Sequence, residues 1–301
     1  MEPQHSTQSL ATSSESNVLP AHTSNDKKLS STRVFTKPHT SIQHKNLLPL
    51  TRIPIFYKKD LCLEHIQEQN DPDLFMFCGD KRGANGDVYK TCFALSYNNV
   101  LSYITNKNLN WYEYIHPNTP VKLFIDIDYK TKECKRIKLN KILNKIIKDC
   151  INLVKDELEK VYGITNPETI ILKSNLDIKK GETNKPSSHV IFSNVMFDNI
   201  DSMKLFVSGL KSDLITNGIF DMNPYKIGCL RMLHCAKLDK RNKLQYDRCE
   251  NYEYNEDTIF YDGCVTYKVP QKQYTYIEND QIIDNTKVCI LDTKINVFTI
   301  C

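Results

Sequence analysis

The sequence predicts an α+β fold, and three observations lead to this class. Segments with strand composition and helical segments follow one another without the regular strand–helix–strand rhythm of a parallel sheet. One long segment, residues 136–162, has apolar side chains at helical spacing. Hydrophobic residues fill 40% of the 301 positions, which is enough apolar material for a sizeable core.

The first fifty residues differ in composition from the remainder of the chain. They contain nine Ser, six Thr and four of the eight His, and Phe35 is their single aromatic residue. A segment with so few large apolar side chains cannot offset the entropy cost of ordering its backbone. We therefore predict a disordered Ser/Thr-rich tail over residues 1–52 and one folded domain over residues 53–301.

The folded domain is predicted to begin with a hairpin followed by a helix. Residues 74–78 and 88–93 have strand composition, and Asn85-Gly86 between them is a turn signal. Residues 98–107 then have the pattern of a short helix. The glycines near the turn lack the spacing of a phosphate-binding loop, so they indicate a hairpin turn only.

The clearest helix is predicted over residues 136–162, and Gly163 is expected to end it. Its apolar side chains repeat with a period of 3.6 residues: Leu139, Ile142, Leu143, Ile146, Ile147, Cys150, Leu153, Val154, Leu158 and Val161. The opposite face carries Lys141, Lys145, Lys148 and Lys155. These lysines indicate either a solvated face or contact with a nucleic-acid backbone.

Three further elements are predicted after this helix. Residues 169–173 and 188–193 have strand composition. A helix is predicted from Asp201, as its N-cap, to Thr216, with Asn217-Gly218 ending it.

Charge and cysteine content limit the class of protein. Lys plus Arg number 40 and Asp plus Glu 36, a net charge of +4 that permits a nucleic-acid partner without demonstrating one. The polar start of the chain lacks the apolar segment of a signal peptide, so the eleven Cys are expected to be reduced thiols in an intracellular compartment, nucleus or cytoplasm. No apolar run is long enough to predict a membrane span.

The first motif that carries chemistry is PVKLFIDID, residues 120–128, an apolar strand that ends in two carboxylates. The two-residue period of a strand places Asp126 and Asp128 on one face. Val121, Leu123, Ile125 and Ile127 then lie on the other face, toward the core. Two adjacent carboxylates repel each other, and Mg²⁺ or Mn²⁺ relieves that repulsion. Two solvated acids at an exposed strand end are the alternative.

The second motif is KPSSHVIF, residues 185–192, which leads into another strand. Ser187 and His189 share one face by the same period, and Lys185 precedes them. A cation, a hydroxyl and an imidazole together suit phosphate oxygens. A Ser–His nucleophile is disfavoured because no acid that orients the histidine is evident, and His189 alone is also compatible with a buried, hydrogen-bonded role.

The third segment, residues 218–243, contributes another carboxylate and several cations. Asp221 is a candidate third acid, and Arg231 and Lys237 lie in mostly apolar surroundings where a charge needs a partner. A triphosphate, a nucleic-acid backbone or a structural ion pair would each supply one. Cys229, Cys235, Cys249, Cys264 and His234 form no CxxC pair, so zinc is not expected.

In order and spacing, these three motifs resemble those of the archaeo-eukaryotic primase superfamily, closest to its primase-polymerase branch and its relatives in large DNA viruses, including stand-alone viral primases. The Asp-x-Asp strand, the Ser-x-His strand with its Lys, and the series Asp221, Tyr225, Leu230-Arg231 and Lys237 carry the resemblance. It covers most of residues 60–270. It implies a catalytic core made of an N-terminal α/β module and an RRM-like sheet.

The resemblance also implies an activity and a role for each matched residue. The activity is template-directed nucleotidyl transfer that makes primers on single-stranded DNA during replication. Asp126, Asp128 and Asp221 would hold two metal ions, Mg²⁺ or Mn²⁺. Contacts to the nucleoside triphosphate would come from Lys185, Ser187, His189, Arg231 and Lys237. A helicase or an accessory primase subunit would be a further partner.

Two other functions are compatible with the sequence. Asp128-Tyr129-Lys130, with Asp73 upstream, resembles the acidic and lysine pattern of a metal-dependent nuclease, although this leaves Ser187 unused. A non-catalytic nucleic-acid-binding relative is the other alternative.

Overall fold

The computed structural model describes residues 49–278, apart from 108, 175–177, 179 and 241. After a 3-10 turn at Leu50–Arg52, the helices are α1 (Lys59–Gln69), α2 (Tyr97–Asn106), α3 (Arg136–Tyr162), α4 (Ile200–Gly209), α5 (Asp213–Thr216), α6 (Pro224–Ile227) and α7 (Ile259–Asp262). The strands are β1 (Phe75–Arg82), β2 (Val88–Leu95), β3 (Trp111–Tyr114), β4 (Val121–Asp128), β5 (Thr169–Ser174), β6 (Ser187–Phe197), β7 (Cys229–Arg231), β8 (Leu244–Glu250) and β9 (Thr275–Ile277). The α+β class is confirmed.

The predicted domain boundary lies close to the first described residue. Residues 1–48 of the predicted tail and residues 279–301 of the predicted folded domain lie outside the described residues. The two-part division at residue 52 therefore stays a prediction.

The first sheet has the order β2-β1-β3-β7 and is antiparallel throughout. Its β1–β2 hairpin is confirmed, with Gly86 at φ 89° in the turn, a conformation that glycine adopts without strain. Strand β1 continues four residues beyond the predicted end at Cys78, because its pairing with β2 runs to Arg82 opposite Val88.

The second sheet has the order β4-β6-β5-β8, and β9 adds to β6 in parallel. On the outer edge of β4, Phe220 forms an antiparallel bridge with Ile127. The chain thus visits β4, α3, β5, β6 and α4 in turn and then reaches the isolated bridge at Phe220. The predicted strands at 169–173 and 188–193 are confirmed, and β6 is longer than predicted at both ends.

Helix α3 has the bounds that its periodicity predicts. It ends at Gly163, which lies in the left-handed region at φ 65°. Its apolar face, including Leu143, Ile147 and Val154, is buried in the main hydrophobic core together with residues of β4 and β6. On the opposite face three of the four lysines are exposed, and Lys155 pairs with Glu250 on β8 at 2.9 Å.

The single helix predicted over residues 201–216 is wrong, because two helices occupy this segment. Asn199, not Asp201, is the N-cap of α4, and its side chain accepts a hydrogen bond from the Ser202 amide. Helix α4 ends at Gly209, and the Ser212 side chain caps a new helix, α5, by accepting from the Leu214 amide. A second N-cap inside the segment gave the backbone another place to start a helix.

Strand β4 is buried on both faces. Val121, Leu123, Ile125 and Ile127 are fully buried, as the alternation predicts. On the other face the Lys122 and Phe124 side chains are fully buried too, and Asp126 and Asp128 follow them toward the strand end. This second face points toward the first sheet, so the motif carboxylates lie between the two sheets.

Candidate active site

Pairing between β4 and β6 brings the first two motifs together. The antiparallel register places Asp126 opposite His189 and Asp128 opposite Ser187. Residues directly opposite each other point to the same face of a sheet, so the four side chains form one group. The His189 Nε2 atom lies 3.5 Å from Asp126 Oδ1, so this carboxylate is the acid beside the histidine that the sequence did not reveal.

Asp221 reaches the same group through backbone pairing on the outer edge of β4. Its amide donates to the Asp126 carbonyl at 2.8 Å, and the Asp128 amide donates to the Ile219 carbonyl at 2.9 Å. Gly218, at φ 64°, reverses the chain directly before this pairing. Three carboxylates from segments more than ninety residues apart therefore line the same pocket.

The two cations of the third segment come from the first sheet and the loop that follows it. Arg231 ends β7 and pairs with Tyr112 on β3, and its Nη1 donates to the Asn242 carbonyl at 3.3 Å. The Lys237 Nζ lies 3.6 Å from Asp128 Oδ2. Arg231 is buried, whereas the Lys237 side chain is 44% exposed, so one cation is fixed within the protein and the other is accessible to a ligand.

These side chains line a pocket of about 140 Å³ between the sheets. Its lining residues are Tyr112, Asp126, Asp128, Ser187, His189, Asp221, Asn223, Pro224, Cys229, Leu230, Arg231 and Lys237. Seven of the eight residues predicted for the site are in this set. Lys185, the eighth, is exposed and does not line the pocket. Tyr225 lies beneath the site, where its ring stacks on Phe124 at 4.9 Å and its hydroxyl donates to the Phe124 carbonyl.

Asp126 bears the largest electrostatic cost in the pocket. Its pKa is raised to about 8, mainly by burial and then by the neighbouring charges of Asp128 and Asp221, while Lys237 and Arg231 lower it. Because the pKa is raised, the ionised carboxylate is unfavourable in the protein alone, and an added positive charge would stabilise it.

The same surroundings shift the pKa values of His189 and Arg231. Burial, with the charges of Arg231 and Lys237, lowers the pKa of His189 well below its usual value, so its imidazole is neutral at pH 7. Burial also lowers the pKa of Arg231, while Asp126 opposes the shift, and a guanidinium remains charged at neutral pH.

Several buried polar atoms in the pocket make no hydrogen bond to the described residues: Asp126 Oδ1, Asp128 Oδ1, His189 Nδ1, and Arg231 Nε and Nη2. Buried polar groups normally have partners, so these atoms suit a ligand that carries both positive and negative groups. Within the described ranges no three His, Cys, Asp or Glu side chains are arranged as a complete metal site. A Mg²⁺ ion that keeps waters and binds substrate phosphates needs only one or two carboxylates, so the donor set fits such an ion.

Sequence patterns assign no site role to five of the pocket residues, although Leu230 belongs to the third motif: Tyr112, Asn223, Pro224, Cys229 and Leu230. Tyr112 is the clearest omission, because it lies on β3 directly opposite Arg231. Its alternation within the strand WYEY could have indicated a face, but only the sheet order shows which residue that face meets.

The nuclease alternative depends on residues that the structure does not bring to this pocket. Asp73 and Lys130 are both exposed, and neither lines it.

Comparison with known families gives one match. The family model described as "C962R protein N-terminal AEP domain" matches residues 88–249, just over half of the chain. The match includes all three motifs. The search of curated proteins found none that matches. Among the described helices, none combines the length and apolar character required to cross a membrane.

Proposed function

The chain belongs to the archaeo-eukaryotic primase superfamily, and on this premise we propose that it is the catalytic subunit of a DNA primase-polymerase. It would extend a nucleic-acid strand on a single-stranded DNA template and make primers for replication. The reaction is attack of a 3′-hydroxyl on the α-phosphate of a nucleoside triphosphate, with pyrophosphate leaving.

One observation carries the proposal. Three carboxylates and two cations line the same pocket, and the buried Asp126 Oδ1 and Asp128 Oδ1 make no hydrogen bond to the described residues. A structural role would leave such atoms paired with protein groups. A substrate with negatively charged phosphates, accompanied by divalent cations, would satisfy the carboxylates and the cations together.

We assign the acidic half of the pocket to metal binding. Asp126, Asp128 and Asp221 would hold two Mg²⁺ or Mn²⁺ ions. When bound, such ions stabilise negative charge on the attacking and leaving oxygens of a phosphoryl transfer.

We assign the opposite half of the pocket to the triphosphate. Arg231 has two buried donors without a hydrogen-bond partner among the described residues, so it is prepared for a phosphate at a fixed place. Lys237 is exposed enough to move from Asp128 to an incoming phosphate. His189 is neutral, so it can donate a hydrogen bond without adding charge, and Ser187 lies beside it. Lys185, at the exposed entrance to β6, does not line the pocket, so we assign it only a weak, solvent-exposed contact with the outer phosphate.

The strand order supports an RRM-like architecture for the second sheet. A strand–helix–strand–strand–helix–strand chain order with the last strand beside the first is the arrangement of ferredoxin-like sheets. The bridge between Phe220 and Ile127 supplies that last strand, although it is short. The remaining proposals, an intracellular and viral setting and a helicase or accessory primase subunit as partner, rest on the family resemblance.

A strand-synthesis assay tests the proposal. Purified protein is given single-stranded template, with and without primer, ribo- or deoxyribonucleoside triphosphates, and Mg²⁺ or Mn²⁺. We expect extended products from the native chain and none from the double variant Asp126→Ala, Asp128→Ala. Asp257→Ala is the matched control, because Asp257 is exposed and does not line the pocket.

The product pattern distinguishes the alternatives. Shortened DNA without any need for nucleoside triphosphates would indicate a nuclease. Template binding that is unaffected by Asp126→Asn, with no synthesis by folded protein in any lane, would overturn the proposed activity in favour of a non-catalytic binding protein.

A further inference from the structure

Four cysteines from separate segments lie together in a small hydrophobic core next to the first sheet. They are Cys62 on α1, Cys78 on β1, Cys92 on β2 and Cys229 on β7, and we call them the thiol cluster. All four are buried and none forms a disulfide. Their sequence spacing has no metal-binding pattern, and the described residues contain no complete metal site, so their proximity requires another explanation.

Cys78 is the centre of the thiol cluster. It lies directly opposite Cys92 in the antiparallel ladder, and the two Sγ atoms are 3.4 Å apart. Opposite residues in such a ladder have Cα atoms about 4.5–5.5 Å apart, which is within the range that a disulfide spans. Cys229 packs in the same buried cluster and interacts electrostatically with Cys78. One thiol can therefore bond to either of two neighbours.

Cys229 connects the thiol cluster to the candidate active site. It is buried but lines the pocket, whereas Cys62, Cys78 and Cys92 do not. Cys229 is therefore the member of the thiol cluster at which a small oxidant in the pocket would react first.

The surroundings of the two outer thiols favour the thiolate more than burial alone would allow. The Cys78 thiol, whose single proton is available to one neighbour at a time, lowers the pKa of Cys229 and of Cys92, as do the charges of Lys59 and Lys90, while burial opposes the shift. Lys90 lies 3.5 Å above the ring of Tyr112, and Lys59 lies 4.6 Å above the ring of Tyr114, so both ammonium groups are held near the cluster. Thiolates are the reactive form of cysteine.

We propose that the thiol cluster is an oxidation site for hydroperoxides, in which Cys229 is oxidised from the pocket and the oxidation is stored as a disulfide between Cys78 and Cys92. The proposal does not depend on nucleotidyl transfer, because its readout is the state of the sulfurs.

The proposed oxidation proceeds in three steps. The Cys229 thiolate attacks the peroxide, which forms a sulfenic acid on Cys229 and, after protonation, releases water. The Cys78 thiol attacks that sulfur, expels a second water and forms the Cys78–Cys229 disulfide. The Cys92 thiolate then attacks the Cys78 sulfur and releases the Cys229 thiolate. Overall, hydrogen peroxide is reduced to two waters, and two thiols lose two electrons and two protons.

Peptide mapping of the full chain after treatment with hydrogen peroxide tests the proposal. Free thiols are alkylated before digestion, and disulfide-linked peptides are identified by mass spectrometry over time. We expect the Cys78–Cys229 linkage to appear transiently, the Cys78–Cys92 linkage to accumulate after it, and dithiothreitol to reverse both.

Variants separate the steps. Cys229→Ser should slow formation of the Cys78–Cys92 disulfide by roughly tenfold or more, because the remaining thiols have no access from the pocket. Cys92→Ser should trap the Cys78–Cys229 disulfide, and Cys78→Ser should leave a sulfenic acid that dimedone labels. Each variant is repeated with Ala where Ser destabilises the core, and circular dichroism checks its fold.

Cys62→Ser and Cys150→Ser are the matched controls. Cys62 belongs to the thiol cluster but takes no part in the proposed exchange among Cys229, Cys78 and Cys92. Cys150 is a buried thiol on α3, outside the cluster, and burial raises its pKa. Neither should change the rate. The proposal is overturned if no linkage among Cys78, Cys92 and Cys229 forms in folded protein, or if it forms equally fast in Cys229→Ser.

Discussion

Strand β4 buries a charged side chain near each of its ends, and the two side chains differ in their hydrogen-bond partners. Near the start, the Lys122 ammonium is fully buried and donates to the carbonyls of Tyr261 at 3.0 Å and Asp262 at 3.1 Å. Near the end, Asp126 Oδ1 is buried without a hydrogen bond to the described residues. Both side chains belong to the same face of the strand.

The comparison shows how a structural charge differs from a candidate functional one. Burial shifts both groups toward neutrality, lowering the pKa of Lys122 to about 8 and raising that of Asp126 to about 8. The difference lies in the neighbours, since protein carbonyls satisfy Lys122, whereas other carboxylates surround Asp126. A buried charge that the protein itself leaves unsatisfied is the better indicator of a ligand.

The largest expected effect is on activity at the Asp126 end. Asp126→Asn should lower strand synthesis by a factor on the order of 10³, because it removes charge where several kcal/mol of metal-based stabilisation would act. The unfolding free energy of the metal-free variant should not fall, since the substitution also removes carboxylate repulsion. Primer extension and thermal unfolding on the same sample measure both. A large loss of stability in Asp126→Asn would remove the contrast with Lys122.

The opposite outcome is expected at the Lys122 end. Lys122→Ala should lower the unfolding free energy by roughly 2–4 kcal/mol, because it removes buried methylenes and leaves two carbonyls without their donor. Synthesis per folded molecule should remain, since Lys122 does not line the pocket. Urea unfolding checks the first statement. The matched variant Lys122→Met, which keeps the volume, should lose less stability than Lys122→Ala.

A third effect is expected from pH on the metal-free protein. The pKa of Asp126 rises from 3.8 to about 8 on folding, so the folded state binds its proton more tightly than the unfolded state. The contribution of this group to stability is therefore complete below about pH 4 and is lost as pH rises to about 8. Thermal unfolding in a chelator across this range should show the decline, with a flatter profile for Asp126→Asn. Equal slopes in the two proteins would contradict it.

The smallest expected effects separate the two exposed lysines of the predicted site. Lys237→Ala should raise the KM for nucleoside triphosphate roughly tenfold, because Lys237 lines the pocket beside Asp128. Lys185→Ala should change it by less than about threefold, since this exposed side chain lies outside the pocket lining. Steady-state kinetics with each variant provides the measurement. An equal effect of both would place Lys185 in the functional pocket despite its position.

Local patterns predicted the elements whose formation depends on neighbours along the chain. The bounds of α3 follow from its apolar period and Gly163, and the first hairpin follows from Asn85-Gly86. The prediction of one helix over residues 201–216 was wrong because this part of the sequence has two N-caps, Asn199 and Ser212. Sequence spacing alone did not show that both are used.

Some features of the candidate site likewise follow from local sequence patterns, and others depend on tertiary structure. Alternation by itself determined that Asp126 and Asp128 share a face, and likewise Ser187 and His189, because the period of a strand is a local property. The register between β4 and β6, the arrival of Asp221 along the outer edge of β4 and the approach of Arg231 from another sheet were decided only by tertiary structure.

The proximity of the four cysteines in the thiol cluster depends entirely on tertiary structure. Its four cysteines stand up to 167 positions apart between Cys62 and Cys229, and no local pattern relates them. A sequence encodes which side chains a strand or helix presents on each face, since backbone geometry repeats over a few residues. Which faces meet depends on how the whole core packs, and that packing placed acids, cations and the Cys229 thiol around one pocket.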